Sequence, residues 1–199
     1  MPTSTIHEIV GKKLANKYKN LDNYNFYLGC IAPDSVNYKG FAEKEIRWNA
    51  HLRDKDLSIW KNNIITFYNQ VKNNYNKEFI IGYITHIMTD IVYDKELYLK
   101  VTYPMKNIGK IDHEAHLHML EEMKSYGNNN EDFNYVKNIL STNNNYYNIR
   151  NIDEELMSNW KNKVITETLP DIKPQFITEE IINELVDKVD KELIKYNVI

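Results

Sequence analysis

The sequence predicts an all-α protein, one domain over residues 1–199 built as a bundle of six to eight helices. Three observations carry that expectation. Apolar residues recur with a helical period along most of the chain, no segment alternates apolar and polar residues as a half-buried strand would, and the 6 glycines and 5 prolines leave few positions that interrupt a helix. No internal repeat and no linker divides the chain.

The elements follow in order. TSTIHEIVGKKLANKY opens on Thr and Ser, both capping residues, and sets Ile6, Ile9, Val10 and Leu14 at helical spacing. This predicts a first helix over residues 4–19, with His7 in its first turn. The stretch from NLDNYNFYLGC to AHLRD has no helical period, and Gly29, Pro33 and Gly40 punctuate it. It reads as loops and short turns, carries Asp34 and His51, and is long enough to suggest a functional connection. DLSIWKNNIITFYNQVKN aligns Leu57, Trp60, Ile64, Phe67 and Val71 as an amphipathic helix. KEFIIGYITHIMTDIVYDKELYL is apolar on nearly every side, the pattern of a helix at the centre of a bundle. MKNIGKIDHEAHLHMLEEMKSY predicts a helix over residues 105–126, ended by GNNNEDF. EDFNYVKNILS is a short helix, TNNNYYN a loop, and IDEELMSNWKNKVITETL a helix stopped by Pro170 and Pro174. ITEEIINELVDKVDKELIKY closes the chain with Thr178 as cap and an acidic first turn.

Composition narrows the chemistry. A formal net charge of -3 gives no bulk attraction for nucleic acid, so no stable nucleic-acid binding is expected. The abundance of Asn and Lys reads as genomic composition. With a single cysteine, Cys30, there is no intramolecular disulfide and no thiolate zinc cluster, so a metal must be held by His, Asp or Glu. No apolar run is long enough to span a bilayer, and MPTSTIHEIVGKKL lacks the pattern of a secretion signal; the expected location is cytoplasmic.

His86 and Asp90 stand four residues apart within the apolar stretch GYITHIMTDI, so both project from one helix face. A hydrogen bond between neighbouring turns would account for the pair, and so would a metal or catalytic role. Burying a carboxylate is costly unless a cation or strong donors compensate it, and zinc accepts both donor types. A site needs further ligands, and the upstream candidates are His7, Asp34 and His51. Taken singly, Asp34 after Ala-Pro also reads as a turn residue, and His51 as an exposed loop histidine.

Taken in order, His7, LGCIAPD ending at Asp34, AHLRD with His51, and GYITHIMTD with His86 and Asp90 resemble the zinc-dependent phospholipase C and S1/P1 nuclease superfamily, closest to its small bacterial branch. The resemblance covers roughly positions 1–95. It implies an all-helical fold of that type, a zinc cluster in a cleft, and hydrolysis of a small phosphoester or phospholipid by metal-activated water. It implies that Asp34, His51, His86 and Asp90 hold one zinc. Asp90 would bridge to a second zinc, which His7 also binds, so two zinc ions are expected. Asp34 would be a ligand first and a catalytic base second. Secreted members use the amine of an N-terminal Trp; this chain has no such Trp, and Pro2, exposed as a secondary amine if Met1 is removed, is the expected replacement.

A third zinc is where the chain departs from the family. Glu96 stands where the family has a His, and the helix that would supply the rest offers two pairs on different faces, Asp112/His116 and His118/Glu122. The less polar face favours Asp112 and His116; a solvated His-rich helix remains open. Arg47 and Arg53 flank His51 and are candidate phosphate contacts, while Tyr27, Trp48 and Tyr83 belong to the pocket wall or the core.

Two other helical metal enzymes fail on sequence. No His is followed directly by Asp, as HD-type phosphohydrolases require, and no His has Glu three residues before it, as di-iron bundles require. The remaining alternative is a non-enzymatic helical binding module with a structural metal or none.

Overall fold

Two helices touching through glycine set the architecture. The structure, a computed structural model, describes residues 1–199. α5 (Lys77–Val92) is buried at every position from Phe79 to Val92, and it lies against α2 (Tyr24–Ile31), buried almost as completely. Gly29 and Gly82 make the approach possible. A Cβ on Gly82 would sit 2.1 Å from the Phe26 carbonyl oxygen, and one on Gly29 would sit 2.2 Å from that of Phe79. Backbone therefore packs on backbone at this crossing.

The other helices surround this pair: α1 (Ser4–Lys17), α3 (Lys44–Ala50), α4 (Leu57–Val71), α6 (Tyr98–Asn107), α7 (Asp112–Ser125), α8 (Glu131–Leu140), α9 (Glu154–Thr166) and α10 (Glu179–Lys195). Each contributes to one contiguous core, through Ile9, Ala50, Trp60, Val101, Met119, Val136, Met157 and Leu185 respectively. There are no strands, only a single bridge between Ile149 and Ile152. No helix is long and apolar enough to cross a membrane.

The all-α expectation holds, with more helices than the six to eight expected. The stretch read as loops holds α2, a 3-10 turn over Ala32–Asn37, and α3. A helix buried on all sides has no polar face and so no period to read. Its start is marked instead by Asn23, whose side chain accepts the Phe26 N–H at 3.2 Å. Pro33 sits at the start of the 3-10 turn, where an amide hydrogen is not needed. The helix expected over 105–126 is also divided. α6 ends at Asn107, and the chain turns through Gly109 at φ +87° before α7 begins at Asp112. α5 runs into α6 through a π-helical turn at Tyr93–Leu97. The first helix stops at Lys17 and is followed by a 3-10 turn, Lys19–Leu21. Thr178 caps α10 as expected, its hydroxyl accepting the Ile181 N–H at 3.3 Å.

Candidate metal centre

Five of the predicted residues converge at one end of the α2–α5 crossing. α1 supplies His7, the turn after α2 supplies Asp34, the end of α3 supplies His51, and α5 supplies His86 and Asp90. His7, His51, His86 and Asp90 are buried, and Asp34 is partly exposed. His51 Nε2 lies 3.3 Å from His86 Nε2, 3.4 Å from Asp34 Oδ1 and 3.7 Å from Asp90 Oδ2. His86 Nε2 lies 3.8 Å from the same Asp90 oxygen. The other oxygen, Oδ1, is 3.4 Å from His7 Nε2. His7 stacks on His86 with ring centroids 3.6 Å apart and planes 11° apart.

Backbone carbonyls decide where the ring protons are. His86 Nδ1 is 2.7 Å from the Cys30 carbonyl, one of the orphan carbonyls in the last turn of α2. His51 Nδ1 is 2.9 Å from the Arg47 carbonyl, which also accepts the His51 backbone N–H at 3.0 Å. A carbonyl only accepts, so both Nδ1 atoms carry the proton. In the neutral rings both Nε2 atoms are then bare lone pairs, facing each other and two carboxylate oxygens. Asp90 Oδ1 and Oδ2, and both ring nitrogens of His7, make no hydrogen bond at all.

Such a set of acceptors is repulsive unless a cation sits among them. Ligands about 2.1 Å from the centre of a tetrahedron are separated by edges of about 3.4 Å. The four edges measured among His51 Nε2, His86 Nε2, Asp34 Oδ1 and Asp90 Oδ2 span 3.3 to 3.8 Å. His7 Nε2 and Asp90 Oδ1 offer a second, adjoining pair. Two triads, His51/His86/Asp90 and His7/Asp34/His86, each bring one donor atom per residue within 4.8 Å of the others, a spacing that fits a cation with nitrogen and oxygen ligands.

Protons respond to the same arrangement. Burial, reinforced by repulsion from His7, lowers the His86 pKa to about 3, so this ring stays neutral. Burial works against charge on Asp90, but its histidine neighbours, His7 first, hold its pKa well below the usual carboxylate range. Asp34 is also lowered: burial opposes this, and the interaction with His51 outweighs it. His51 is raised, since Asp34 and Asp90 outweigh its burial.

Access runs through Asp34, the one cluster residue on the wall of a cleft of about 490 Å³. Arg47, Arg53, Lys124 and Lys163 line this cleft with Phe41, Leu120 and Trp160. Arg47 donates through Nε to the Ala42 carbonyl at 2.9 Å, leaving its two terminal amino groups free of protein acceptors. Arg53 is tied to Asp94 at 3.0 Å, and Lys124 pairs with Glu167. Lys124, Lys163, Trp160 and Phe41 were not anticipated. They come from distant segments, and no local pattern ties them to the histidines.

The remaining candidates lie elsewhere. Pro2 is buried and lines the cleft, but with Met1 present its nitrogen is a peptide nitrogen, and the Met1 amine pairs with Asp94 at 3.0 Å. His116 lines the cleft, whereas Asp112 points to solvent and pairs with Lys106 at 2.6 Å. These two therefore do not form a joint site. His118 Nε2 meets Glu122 Oε1 at 3.2 Å. The other Glu122 oxygen clamps the backbone N–H groups of Gln175, Phe176 and Ile177 at 3.1, 2.7 and 3.1 Å, a structural anchor invisible in sequence. Tyr27 and Tyr83 are core residues bonded to Asp22 and the Ala50 carbonyl. Trp48 lines a neighbouring surface cavity. Compared with models of known protein families, with curated proteins and with solved structures, the chain matches none.

Proposed function

We propose that the chain is a metal-dependent phosphoester hydrolase, of the kind its sequence resemblance to zinc-dependent phospholipases C and P1 nucleases implies. The observation that carries the reading is the pair of facing imidazoles. Both are locked by backbone carbonyls into the tautomer that presents Nε2, and they meet Asp34 Oδ1 and an Asp90 carboxylate whose two oxygens have no hydrogen-bond donor. Asp34, His51, His86 and Asp90 would hold one zinc-like cation, and His7 with the other Asp90 oxygen would take part in a second.

A cation so held supplies a polarised phosphoryl oxygen and a water acidic enough to attack at neutral pH. The chain's own residues supply the rest. Arg47 turns free guanidinium nitrogens to the cleft, placed to bind a phosphate. Asp34 engages His51 and Asn37 through Oδ1, leaving Oδ2 to accept the proton released from the attacking water. Phe41, Leu120 and Trp160 present an apolar wall to the ester's organic group. The cleft beside Asp34 favours this reading over a binding module with a structural metal, whose ligands would close around the ion.

The test is elemental analysis of tag-free protein, followed by hydrolysis of bis-p-nitrophenyl phosphate. Two zinc ions per chain and turnover abolished by chelator and restored by zinc are expected. No bound metal after incubation with zinc overturns the metal reading. Stoichiometric metal with no turnover across a phosphoester panel leaves a structural metal site and overturns the hydrolase.

A further inference from the structure

The largest concentration of exposed apolar side chains lies at the corner between α6 and α7 and includes none of the metal cluster's ligands. Leu99 is 68% exposed, Tyr103 63%, Ile108 63% and Ile111 62%. Leu117 on α7 is exposed as well. Leu99 and Tyr103 stand one turn apart on the outer flank of α6, opposite buried Val101, Thr102 and Met105. Ile108 and Ile111 bracket Gly109, where the chain reverses. Isolated exposed apolar residues are ordinary; several on one corner mark a surface that meets something.

Charge identifies what it meets. Residues 98–111 carry Lys100, Lys106 and Lys110 and no Asp or Glu; Asp112 and Glu114 follow, so the segment from Leu99 to Leu117 is net positive by one, in a chain whose formal net charge is -3. Lys100 and Lys106 reach Glu184 and Asp112 through exposed ion pairs of 2.5 and 2.6 Å, which cost little to open. Lys110 makes no ion pair. A second copy seated across a two-fold axis would set this lysine cluster against itself. An anionic bilayer instead takes isoleucine, leucine and tyrosine side chains at its interface while lysines meet lipid phosphates and carboxylates. We propose that the α6–α7 corner docks the protein on an anionic membrane surface, without crossing it.

The test is co-sedimentation of the full chain with extruded vesicles of phosphatidylcholine alone or mixed with phosphatidylserine. Binding to the mixed vesicles is expected, at least tenfold tighter than to phosphatidylcholine and weakened by salt. Ile108→Ser with Ile111→Ser lowers it roughly tenfold, and Lys110→Glu roughly fivefold. Leu99→Ser with Tyr103→Ser is the independent second variant. The four apolar sites are exposed and Lys110 is half-buried, and an unchanged circular dichroism spectrum shows that each variant is folded. Absence of wild-type binding to the mixed vesicles, or equal binding by the folded variants, overturns the proposal. So does a dimer in sedimentation velocity that the Ile108→Ser/Ile111→Ser variant abolishes, which would assign the corner to a second copy.

Discussion

Asp90→Asn separates a metal bridge from a buried hydrogen-bonded pair. Asp90 presents Oδ1 to His7 at 3.4 Å and Oδ2 to His51 and His86 at 3.7 and 3.8 Å, so its loss removes one ligand from each of two adjoining positions. Free zinc at about 100 times its Kd stabilises a folded protein by about 2.7 kcal/mol per site. Two sites give about 5 kcal/mol. For a domain of 199 residues, each kcal/mol moves the midpoint by about 2–4 °C, so zinc raises the wild-type Tm by about 10–20 °C. The assay is differential scanning fluorimetry in EDTA and in buffered free zinc, for wild type and variant. Subtracting the EDTA midpoint for each protein removes the metal-independent effect of the substitution. The variant retains less than about a third of the wild-type shift. A wild type with no shift at saturating zinc, or equal shifts in both proteins, would refute the reasoning.

Other expectations follow from the same geometry. Gly82→Ala forces a methyl group to within 2.1 Å of the Phe26 carbonyl oxygen, so urea unfolding should show a loss of about 3 kcal/mol or more; a loss below 1 kcal/mol would mean that the helices separate freely. His86 has its folded pKa lowered from 6.5 to about 3 by burial. The unfolded chain therefore binds the proton first, and stability present above pH 6.5 drains away as pH falls toward 3. His86 alone contributes a loss of about 2 kcal/mol by pH 5. Lowered Asp34 and Asp90 act in the same direction at lower pH, and raised His51 opposes. Urea midpoints in EDTA at pH 7 and 5 should diverge for wild type and converge for His86→Gln. Arg47→Ala should raise KM for a phosphodiester roughly tenfold while leaving the zinc-induced Tm shift intact; a lost shift would place Arg47 in the fold of the cluster instead.

The legible parts of the sequence were those with local signals. His86 and Asp90 were visible because α5 is regular and an i,i+4 pair on it has one geometry. Thr178 announced α10 through capping chemistry alone. α2 is the opposite case: apolar except at Asn25, it leaves no periodicity to read, and its glycine serves a helix contact instead of a turn. The preference for Asp112 with His116 weighed neighbours along an uninterrupted helix. The turn at Gly109 makes Asp112 the first residue of α7 instead, where its side chain is free to face solvent. Of the cleft wall, Arg47 and Arg53 were legible from their place beside His51, whereas Lys124 and Trp160 join it only through tertiary folding.

The two imidazoles facing each other are held by main-chain oxygens at positions 30 and 47, with no side chain involved. A carboxylate or amide in that role could be erased by one codon change. A carbonyl survives any substitution at its own position that leaves the helix in place. Substitution at Cys30 or Arg47 therefore leaves the carbonyls that hold the rings in place, whatever it does to the core or to the cleft. An inventory of point mutants would leave both supports undetected, because what holds the histidines is inherited from the course of α2 and α3.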